Sequence, residues 1–320
     1  MTAGIRALRR RILTPAPSST SLEVRGFRRK NPKAQELLET VGRTFLEGYG
    51  QIAEAPHSAA AEPRLEAIPR EFRGFAYEGA AMACSIMDAL PGTKGQRLSG
   101  LLAGRGGAHL YMAYVGIGWA MARLPRMLHP DIEETDPLLM WLILDGYGFH
   151  QAYFHTDRYV RAQHRERKLP WPQDRSGYAR RAVDQGIGRA LWFVGGTDVD
   201  AVLALADAFP SARRGDLYSG VGLAATYAGG ADADELLRLR EGAGEYRPQL
   251  LQGSAFAAEA RELAGLTVPH TWIATEVLCG MKPHEAAGVC RELRPDASGR
   301  ADTPAYETWR QRIAGAIVSE

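Results

Sequence analysis

One stretch of the chain decides the fold: Leu138-Leu-Met-Trp-Leu-Ile-Leu-Asp-Gly-Tyr-Gly-Phe-His-Gln-Ala-Tyr-Phe-His155. Its length and nearly continuous apolar residues predict one long helix that is buried on most sides. Asp136 can cap this helix, and Pro137 is tolerated in its first turn. Gly146 and Gly148 weaken the helix by about 1 kcal/mol each relative to Ala. We therefore expect a second helix or a ligand to approach closely at these glycines.

The middle of this helix carries polar and aromatic side chains that favour a lined pocket. Tyr147, His150 and Phe154 lie at positions i, i+3 and i+7, which places them on one face of a helix. Asp145 lies in the same turn as Tyr147, and buried carboxylates and imidazoles can transfer protons near neutral pH. We predict Asp145, Tyr147 and His150 as catalytic residues.

Small-residue centres of the same kind recur along the chain. The glycines that mark them are Gly48, Gly79, Gly116, Gly146, Gly186, Gly220 and Gly253. They follow one another at about 30–40 residues, a spacing typical of helical repeats. The pattern predicts that the first helix of each hairpin packs on a shared inner side. Close helix crossings explain such glycines without any function.

Helical periodicity, with almost no alternation of apolar and polar residues, predicts an all-α protein. We expect repeated antiparallel helical hairpins that form either an α-solenoid or a closed α/α bundle. The first helix is expected from residue 32 to about residue 49. Later helices are predicted at 181–193, 198–208, 211–228, 232–241, 248–264, 269–280 and 281–293.

The predicted organisation has three parts. Residues 1–34 form a basic, irregular N-terminal arm, residues 35–293 form one helical-repeat domain, and residues 294–320 form a C-terminal tail with a short helix. The basic residues of the arm are Arg6, Arg9, Arg10, Arg11, Arg25, Arg28, Arg29 and Lys30. They form either a solvated arm or a surface that contacts an anionic membrane or an acidic partner.

Composition limits the class of partner and the compartment. The chain has 320 residues and a net charge of +2, which gives no reason to expect nucleic acid as a partner. Its three cysteines form no CxxC pair, as is typical of buried thiols in a reducing cytoplasm. No apolar run reaches the length of about 18–20 residues that spans a membrane. We expect a cytoplasmic protein, with peripheral membrane attachment as the alternative.

Several common catalytic sites lack their sequence signals. The Gly-x-Gly pairs lie inside predicted helices, whereas a dinucleotide fingerprint needs a strand before the glycines. The sequence contains no His-Glu-x-x-His motif, no Gly-x-Ser-x-Gly elbow and no Asp-Asp-x-x-Asp stretch to hold a diphosphate through magnesium. We therefore expect neither a metal ion nor a bound cofactor.

Polar and aromatic residues near the other helix centres complete the candidate site. We predict as substrate-binding residues Tyr77, Glu78, His109, Tyr114, Trp119, Tyr153, Asp184 and Tyr218. If the first helices line one inner surface, these side chains converge there, and their aromatic walls suit an extended unsaturated ligand. The alternative is that Glu78, Asp145 and Asp184 only pair with arginines or cap neighbouring helices.

Four motifs resemble a known family. They are Arg25-Gly-Phe, Pro69-Arg-Glu-Phe-Arg-Gly-Phe-Ala-Tyr-Glu-Gly-Ala-Ala-Met-Ala, Asp145-Gly-Tyr-Gly-Phe-His-Gln-Ala-Tyr-Phe and Asp184-Gln-Gly-Ile-Gly-Arg-Ala-Leu-Trp-Phe. Together they resemble the UnbL-type enediyne biosynthesis proteins, a family long catalogued as a domain of unknown function (DUF1702). The resemblance covers residues 24–293.

The resemblance implies a place in bacterial secondary metabolism. Such proteins accompany an iterative polyketide synthase and a thioesterase that make a linear polyene. They also accompany a propeller-like accessory protein and a membrane-embedded one. The implied function is to bind the hydrophobic polyene and to assist its conversion toward the enediyne core. The family brings no mechanism that can be transferred, so the candidate site residues depend on their placement in this sequence.

Two other functions are compatible with the same pattern. The chain could be a non-catalytic helical-repeat adaptor that assembles the partner proteins at the membrane. It could also be a terpene-cyclase-like enzyme of a non-standard type, which would share the all-α fold and the aromatic lining. Shape distinguishes the first two functions, because a closed apolar cavity favours ligand chemistry and an open concave face favours an adaptor.

Overall fold

The computed structural model describes residues 3–91, 95–130, 132, 135–167, 169, 171, 174, 176–296 and 303–318. Within these ranges the regular structure is helical, with no β-strand, so the all-α prediction is confirmed. The α-helices are α1 (Ala3–Leu13), α2 (Leu22–Arg25), α3 (Pro32–Glu54), α4 (Glu62–Glu66), α5 (Arg70–Asp88), α6 (Arg97–Ala103), α7 (Leu110–Arg123), α8 (Trp141–Phe154), α9 (Ala179–Val194), α10 (Val199–Asp207), α11 (Ser211–Ala228), α12 (Ala233–Gly242), α13 (Arg247–Leu263), α14 (Pro269–Cys279), α15 (Pro283–Glu292) and α16 (Ala305–Val318).

Helix ends follow the capping signals of the sequence in most places. Asp198 and Asp232, the first residues of two predicted helices, are the N-caps of α10 and α12, and α11 has the predicted bounds. The central helix α8 begins later than predicted, at Trp141. The carboxylate of Asp136 instead accepts hydrogen bonds from the backbone N–H groups of the turn that precedes α8.

Seven helices, each with one of the recurrent glycines, pack side by side in chain order: α3, α5, α7, α8, α9, α11 and α13. At each crossing the glycine of one helix faces a backbone carbonyl of its neighbour. A Cβ atom on Gly146 would lie 2.0 Å from the carbonyl oxygen of Val115, and one on Gly186 would lie 1.8 Å from that of Asp145. The expected close approach of a second helix is therefore what these glycines permit.

The array closes on itself instead of continuing as an open solenoid. The ring of Tyr227 in α11 packs edge-on against Phe75 in α5, with 5.2 Å between centroids. Arg261 in α13 donates hydrogen bonds to the carbonyl oxygens of Tyr227 and of Glu71, which lies in α5. The shorter helices α10, α12 and α14 pack on the outside and contact one another in order. The structure is therefore a closed α/α bundle.

The N-terminal region is structured, so the prediction of an irregular arm is wrong. Helix α1 packs on α3. Arg9 donates hydrogen bonds to the carbonyl oxygens of Ala53 and Ala55, at the C-terminal end of α3. Arg10 forms an ion pair with Glu54 at 2.7 Å. Basic side chains that looked like a solvated arm thus hold the first helix against the bundle.

The C-terminal helix α16 belongs to the core of the bundle. The indole of Trp309 is buried and donates a hydrogen bond to the carbonyl oxygen of Cys290 at 2.7 Å. Tyr306 packs on Phe256 of α13 with 5.9 Å between ring centroids. Part of the predicted tail, residues 297–302 and 319–320, lies outside the described residues. None of the described helices has the length and apolar character needed to cross a membrane.

We predict that Gly186→Ala lowers the free energy of unfolding by about 2 kcal/mol or more, because its methyl group collides with the carbonyl oxygen of Asp145 and the two helices must separate. The matched control is Gly288→Ala, at a helical position with nothing within 4 Å of the new methyl group. That change should raise stability by up to about 1 kcal/mol. Urea unfolding of both variants tests this, and equal effects would contradict the role of the crossing glycine.

Candidate ligand cavity

A narrow cavity lies at the centre of the bundle, between α3, α5, α7, α8, α9 and α11. The part that a water molecule can reach has a volume of about 50 Å³, within about 720 Å³ of empty space that includes the opening to solvent. Most of the empty space therefore lies close to a wall, and we call this narrow space the slot. Its aromatic lining consists of Phe45, Phe75, Trp119, Phe149, Tyr153, Phe154, Phe193 and Tyr227.

The aromatic walls form one connected cluster. The indole of Trp119 lies 4.5 Å from the ring of Phe45 and 5.2 Å from that of Phe149, measured between centroids. Phe149 is in turn stacked on Tyr153. These rings touch one another, so they form a continuous aromatic wall that offers apolar surface to a thin, planar group.

Residues 15–30, which we call the covering segment, close one side of the cavity. Pro15 and Thr20 contribute to its lining. The ring of Phe27 packs edge-on against Tyr153 at 5.1 Å, and Arg25 donates a hydrogen bond to the carbonyl oxygen of Phe154 at 3.0 Å. Beyond the cavity, Lys30 forms an ion pair with Glu235 on α12. The covering segment thus spans the bundle from α3 to the outer helices.

Three buried charged side chains meet at the inner wall: Glu78 on α5, Asp145 on α8 and Arg189 on α9. The guanidinium of Arg189 donates to the Asp145 carboxylate at 2.5 Å, and each of the three residues is at most 5% exposed. Glu78 and Arg189 line the cavity, whereas Asp145 lies behind Arg189. No described basic side chain lies within ion-pairing distance of Glu78.

Burial determines the protonation of this cluster. Burial raises the pKa of Glu78 to about 7, because the favourable charge of Arg189 offsets only part of the desolvation penalty and Asp145 adds repulsion. Burial also raises the pKa of Asp145 despite its ion pair with Arg189. Glu78 is thus a carboxyl group that can exchange a proton near neutral pH, in the wall of an apolar cavity.

Several polar atoms around the cavity have no hydrogen-bond partner. They are the hydroxyl of Tyr227, Nε1 of Trp119, Nε of Arg189 and Oδ2 of Asp145. Buried polar atoms are nearly always paired in folded proteins, and an unpaired one costs about 1–3 kcal/mol. Three of these residues line the cavity, so bound water or a ligand with polar groups would complete their pairing.

A protein-family model matches residues 4–317, and its description is "Protein of unknown function (DUF1702)". The chain belongs to this family. No curated protein and no solved structure matches the chain. The match confirms the resemblance to the DUF1702 family. Its description names no activity, ligand or partner, so the link to UnbL-type enediyne proteins stays a prediction.

Five of the predicted site residues of this DUF1702 protein lie at or next to the cavity. Glu78, Trp119 and Tyr153 line it, and Asp145 reaches it through Arg189. His150 lies one layer further out, with its ring 5.4 Å from that of Trp119 and 4.7 Å from that of Phe154. Burial lowers the pKa of His150 to about 3, so its imidazole is neutral at physiological pH.

The other predicted site residues lie elsewhere and have partners of their own. The hydroxyl of Tyr77 donates to Glu66, and its ring stacks on His109 with 3.9 Å between centroids. The hydroxyl of Tyr114 accepts a hydrogen bond from the backbone N–H of Asp136. These three side chains stabilise the junctions between α5, α7 and their loops.

Asp184, Tyr218 and Tyr147 are also outside the cavity. The carboxylate of Asp184 pairs with Arg213 at 2.6 Å, which is the arginine pairing considered as the alternative. Tyr218 donates to Asp207, and the hydroxyl of Tyr147 accepts from the side chain of Gln151. We expected Tyr147 and His150 to line the cavity from one face of α8. Tyr147 instead lies on the side of α8 that faces Tyr159.

Sequence reasoning missed Arg189, the residue that links the two halves of the charge cluster. It lies one position after Gly188, whose crossing contact turns this face of α9 inward. The sequence could have indicated Arg189, because a basic residue on an otherwise apolar helix face needs a buried acidic partner. Among the described residues, no group of three or more His, Cys, Asp or Glu side chains is arranged to hold a metal ion.

We predict that Glu78→Gln changes the pH dependence of stability. The folded-state pKa of Glu78, about 7, lies above its ordinary value of 4.5. Its contribution to stability is therefore fully present below pH 4.5 and is lost as the pH rises through 7. Relative to the variant, the native protein should lose about 3 kcal/mol of unfolding free energy between those limits.

Urea unfolding at about pH 4.5 and about pH 8 measures this difference. Glu241→Gln is the control, since Glu241 is exposed on α12 and far from the cavity. If both variants follow the native pH profile, Glu78 is ionised in an ordinary way and the described environment is wrong.

Proposed function

We propose that this protein binds a hydrophobic linear polyene in the central cavity and assists its conversion toward an enediyne core in bacterial polyketide biosynthesis. One observation carries the proposal: a narrow, aromatic-lined cavity has a single protonatable carboxyl group in its wall. The pathway itself comes from the resemblance of the motifs to the UnbL-type proteins. The resemblance implies a linear polyene as the substrate, and its thin, apolar chain suits the aromatic wall of the cavity.

A conjugated chain suits this space for two physical reasons. It is planar and about one carbon atom thick, so it can lie flat against the continuous aromatic wall formed by Trp119, Phe45 and Phe149. Transfer of its apolar surface from water contributes about 25 cal/mol per Å² buried. A bulky, folded hydrocarbon would not gain the same contacts without separating helices that touch through their backbones.

Proton transfer is the chemistry we assign to the charge cluster. Glu78 donates a proton to, or accepts one from, the bound chain, and a shift of double bonds by this route needs no oxidant. Arg189 stabilises negative charge on the carboxyl group or on the chain, and Asp145 holds the guanidinium in place. Later steps toward the core belong to the partners implied by the family, a propeller-like protein and a membrane-embedded one.

The adaptor function receives less support. The basic segment that motivated it is largely engaged within the chain, because Arg9, Arg10, Arg25, Arg28 and Lys30 all bond to other residues of the bundle. The closed arrangement also replaces the open concave face that an adaptor would use. The proposed role has the protein acting in the cytoplasm, where the polyene is made.

Absorption titration of the purified protein with the linear polyene tests the proposal. Binding should shift the spectrum of the chromophore, because the chain moves from water to an aromatic slot. Ala224→Leu places a larger side chain in the cavity wall and should weaken binding by about tenfold or more. Ala233→Leu, on the exposed start of α12, should leave binding unchanged. An unshifted spectrum with the native protein would refute polyene binding and would favour the adaptor function instead.

Product analysis separates binding from conversion. Glu78→Gln should keep the spectral shift and lower product formation by about 10²-fold or more, because the amide cannot transfer the proton. Asp145→Asn should act in the same direction through Arg189, and Glu241→Gln should have no effect. Native levels of product from Glu78→Gln would remove the catalytic assignment, and a requirement for an isoprenyl diphosphate with magnesium would favour the terpene-cyclase-like function instead.

A further inference from the structure

The opening of the cavity is positively charged. Arg123, the last residue of α7, lines the cavity and is exposed, so it lies where the slot meets solvent. No carboxylate lies within 4 Å of its guanidinium among the residues the structure describes. Arg25, on the covering segment, lies over the rings of Phe154 and Tyr153 at 4.9 and 5.7 Å, and it forms no ion pair either within the described part of the chain.

Three arginines inside the bundle have acidic partners, whereas the buried Arg261 donates to backbone carbonyl oxygens instead. Arg189 pairs with Asp145, Arg213 with Asp184, and Arg310 with Asp216, at 2.5–2.8 Å in each case. Burying an unpaired charge is costly, so acidic partners are expected in the interior. Arg123 at the opening, and Arg25 over the rings of the cavity wall, have no such acidic partner among the described residues.

A groove on the surface continues the opening. It shares Pro15 and Leu46 with the cavity, and its other lining residues include Arg10, Arg11, Arg43 and Glu47. Arg10 and Arg43 pair with glutamates of α3, whereas Arg11 is exposed at the end of α1. The groove that leads to the apolar slot thus contains one arginine, Arg11, that forms no ion pair with the described residues.

We propose that the cavity selects an amphipathic anion, a long unsaturated chain that ends in a carboxylate, with the chain in the slot and the carboxylate at Arg123. This inference rests on the proposed function, because it names the substrate class for the same cavity. A guanidinium presents paired N–H donors that match a carboxylate, and charge-assisted hydrogen bonds of this kind are among the stronger ones. The apolar walls then receive only the uncharged part of the ligand.

The position of Arg123 also sets the register of the bound chain. Arg123 and Trp119 are four residues apart on α7, on one face and separated by about 6 Å along the helix axis. Trp119 lies one turn after Gly116, which faces the backbone carbonyl of Glu78, and the side chains of Trp119 and Glu78 both line the cavity. A carboxylate at Arg123 therefore places the double bonds nearest the head group beside Glu78, and the far end of the chain toward Phe193 and Tyr227.

The test uses the full chain and two probes that differ only in charge, a conjugated tetraenoic fatty acid and its methyl ester. Titrations followed by fluorescence at low ionic strength should show the acid binding about tenfold more tightly than the ester. Arg123→Gln should abolish that preference and leave the affinity for the ester unchanged. The control Arg105→Gln removes one exposed positive charge outside the cavity lining and should keep the preference.

Salt provides a second measurement that needs no variant. Added salt should weaken binding of the acid and spare the ester, because screening acts on the charged contact alone. Equal affinity of the native protein for acid and ester, or a preference that survives Arg123→Gln, would overturn the inference and leave the proposed cavity function intact. Failure of both probes to bind would instead overturn the proposed function together with the inference.

Discussion

Direct contact between helix backbones is the constraint on which the rest of this structure depends. At each crossing a glycine of one helix rests against a carbonyl group of the next, at a distance where no Cβ atom fits. Because Gly146 and Gly148 face α7 and α9 respectively, α8 is held between two neighbours with little freedom to rotate. That fixed rotation determines which side chains of α8 point to the centre of the bundle.

Burying a charged side chain in this closed bundle costs free energy unless the charge is paired. The buried charges fall into two groups, one fully paired and one only partly paired. Between α9, α11 and α16, Arg310 contacts Asp216, Glu307 and the hydroxyl of Tyr178, which satisfies all four groups within one network. At the cavity the pairing is incomplete, and Glu78 has no comparable partner. Since complete networks stabilise a fold and incomplete ones lower stability, the contrast separates structural polarity from polarity that a ligand can use.

The recurrent glycines and the helix caps made the all-α hairpin architecture predictable from the sequence. The site was less predictable, because the periodicity of one helix does not reveal its rotation relative to its neighbours. Tyr147 and His150 share a face in projection, yet the crossing glycines on both sides of Tyr147 turn it away from the cavity. The pair of Asp145 and Arg189 joins residues 44 positions apart, and nothing local in either helix indicates the partner.

The covering segment has a consequence for the order of assembly. Its residues are synthesised before the helices that they bind, since Lys30 meets Glu235 only after 205 further residues have been added. Contacts of such sequence separation form late in folding, because closing the loop costs entropy before any contact compensates. The bundle can therefore reach its closed form first and receive its cover last. Because the covering segment lies outside the crossings of the seven central helices, its docking adds ring contacts and ion pairs without changing the backbone contacts that hold those helices together.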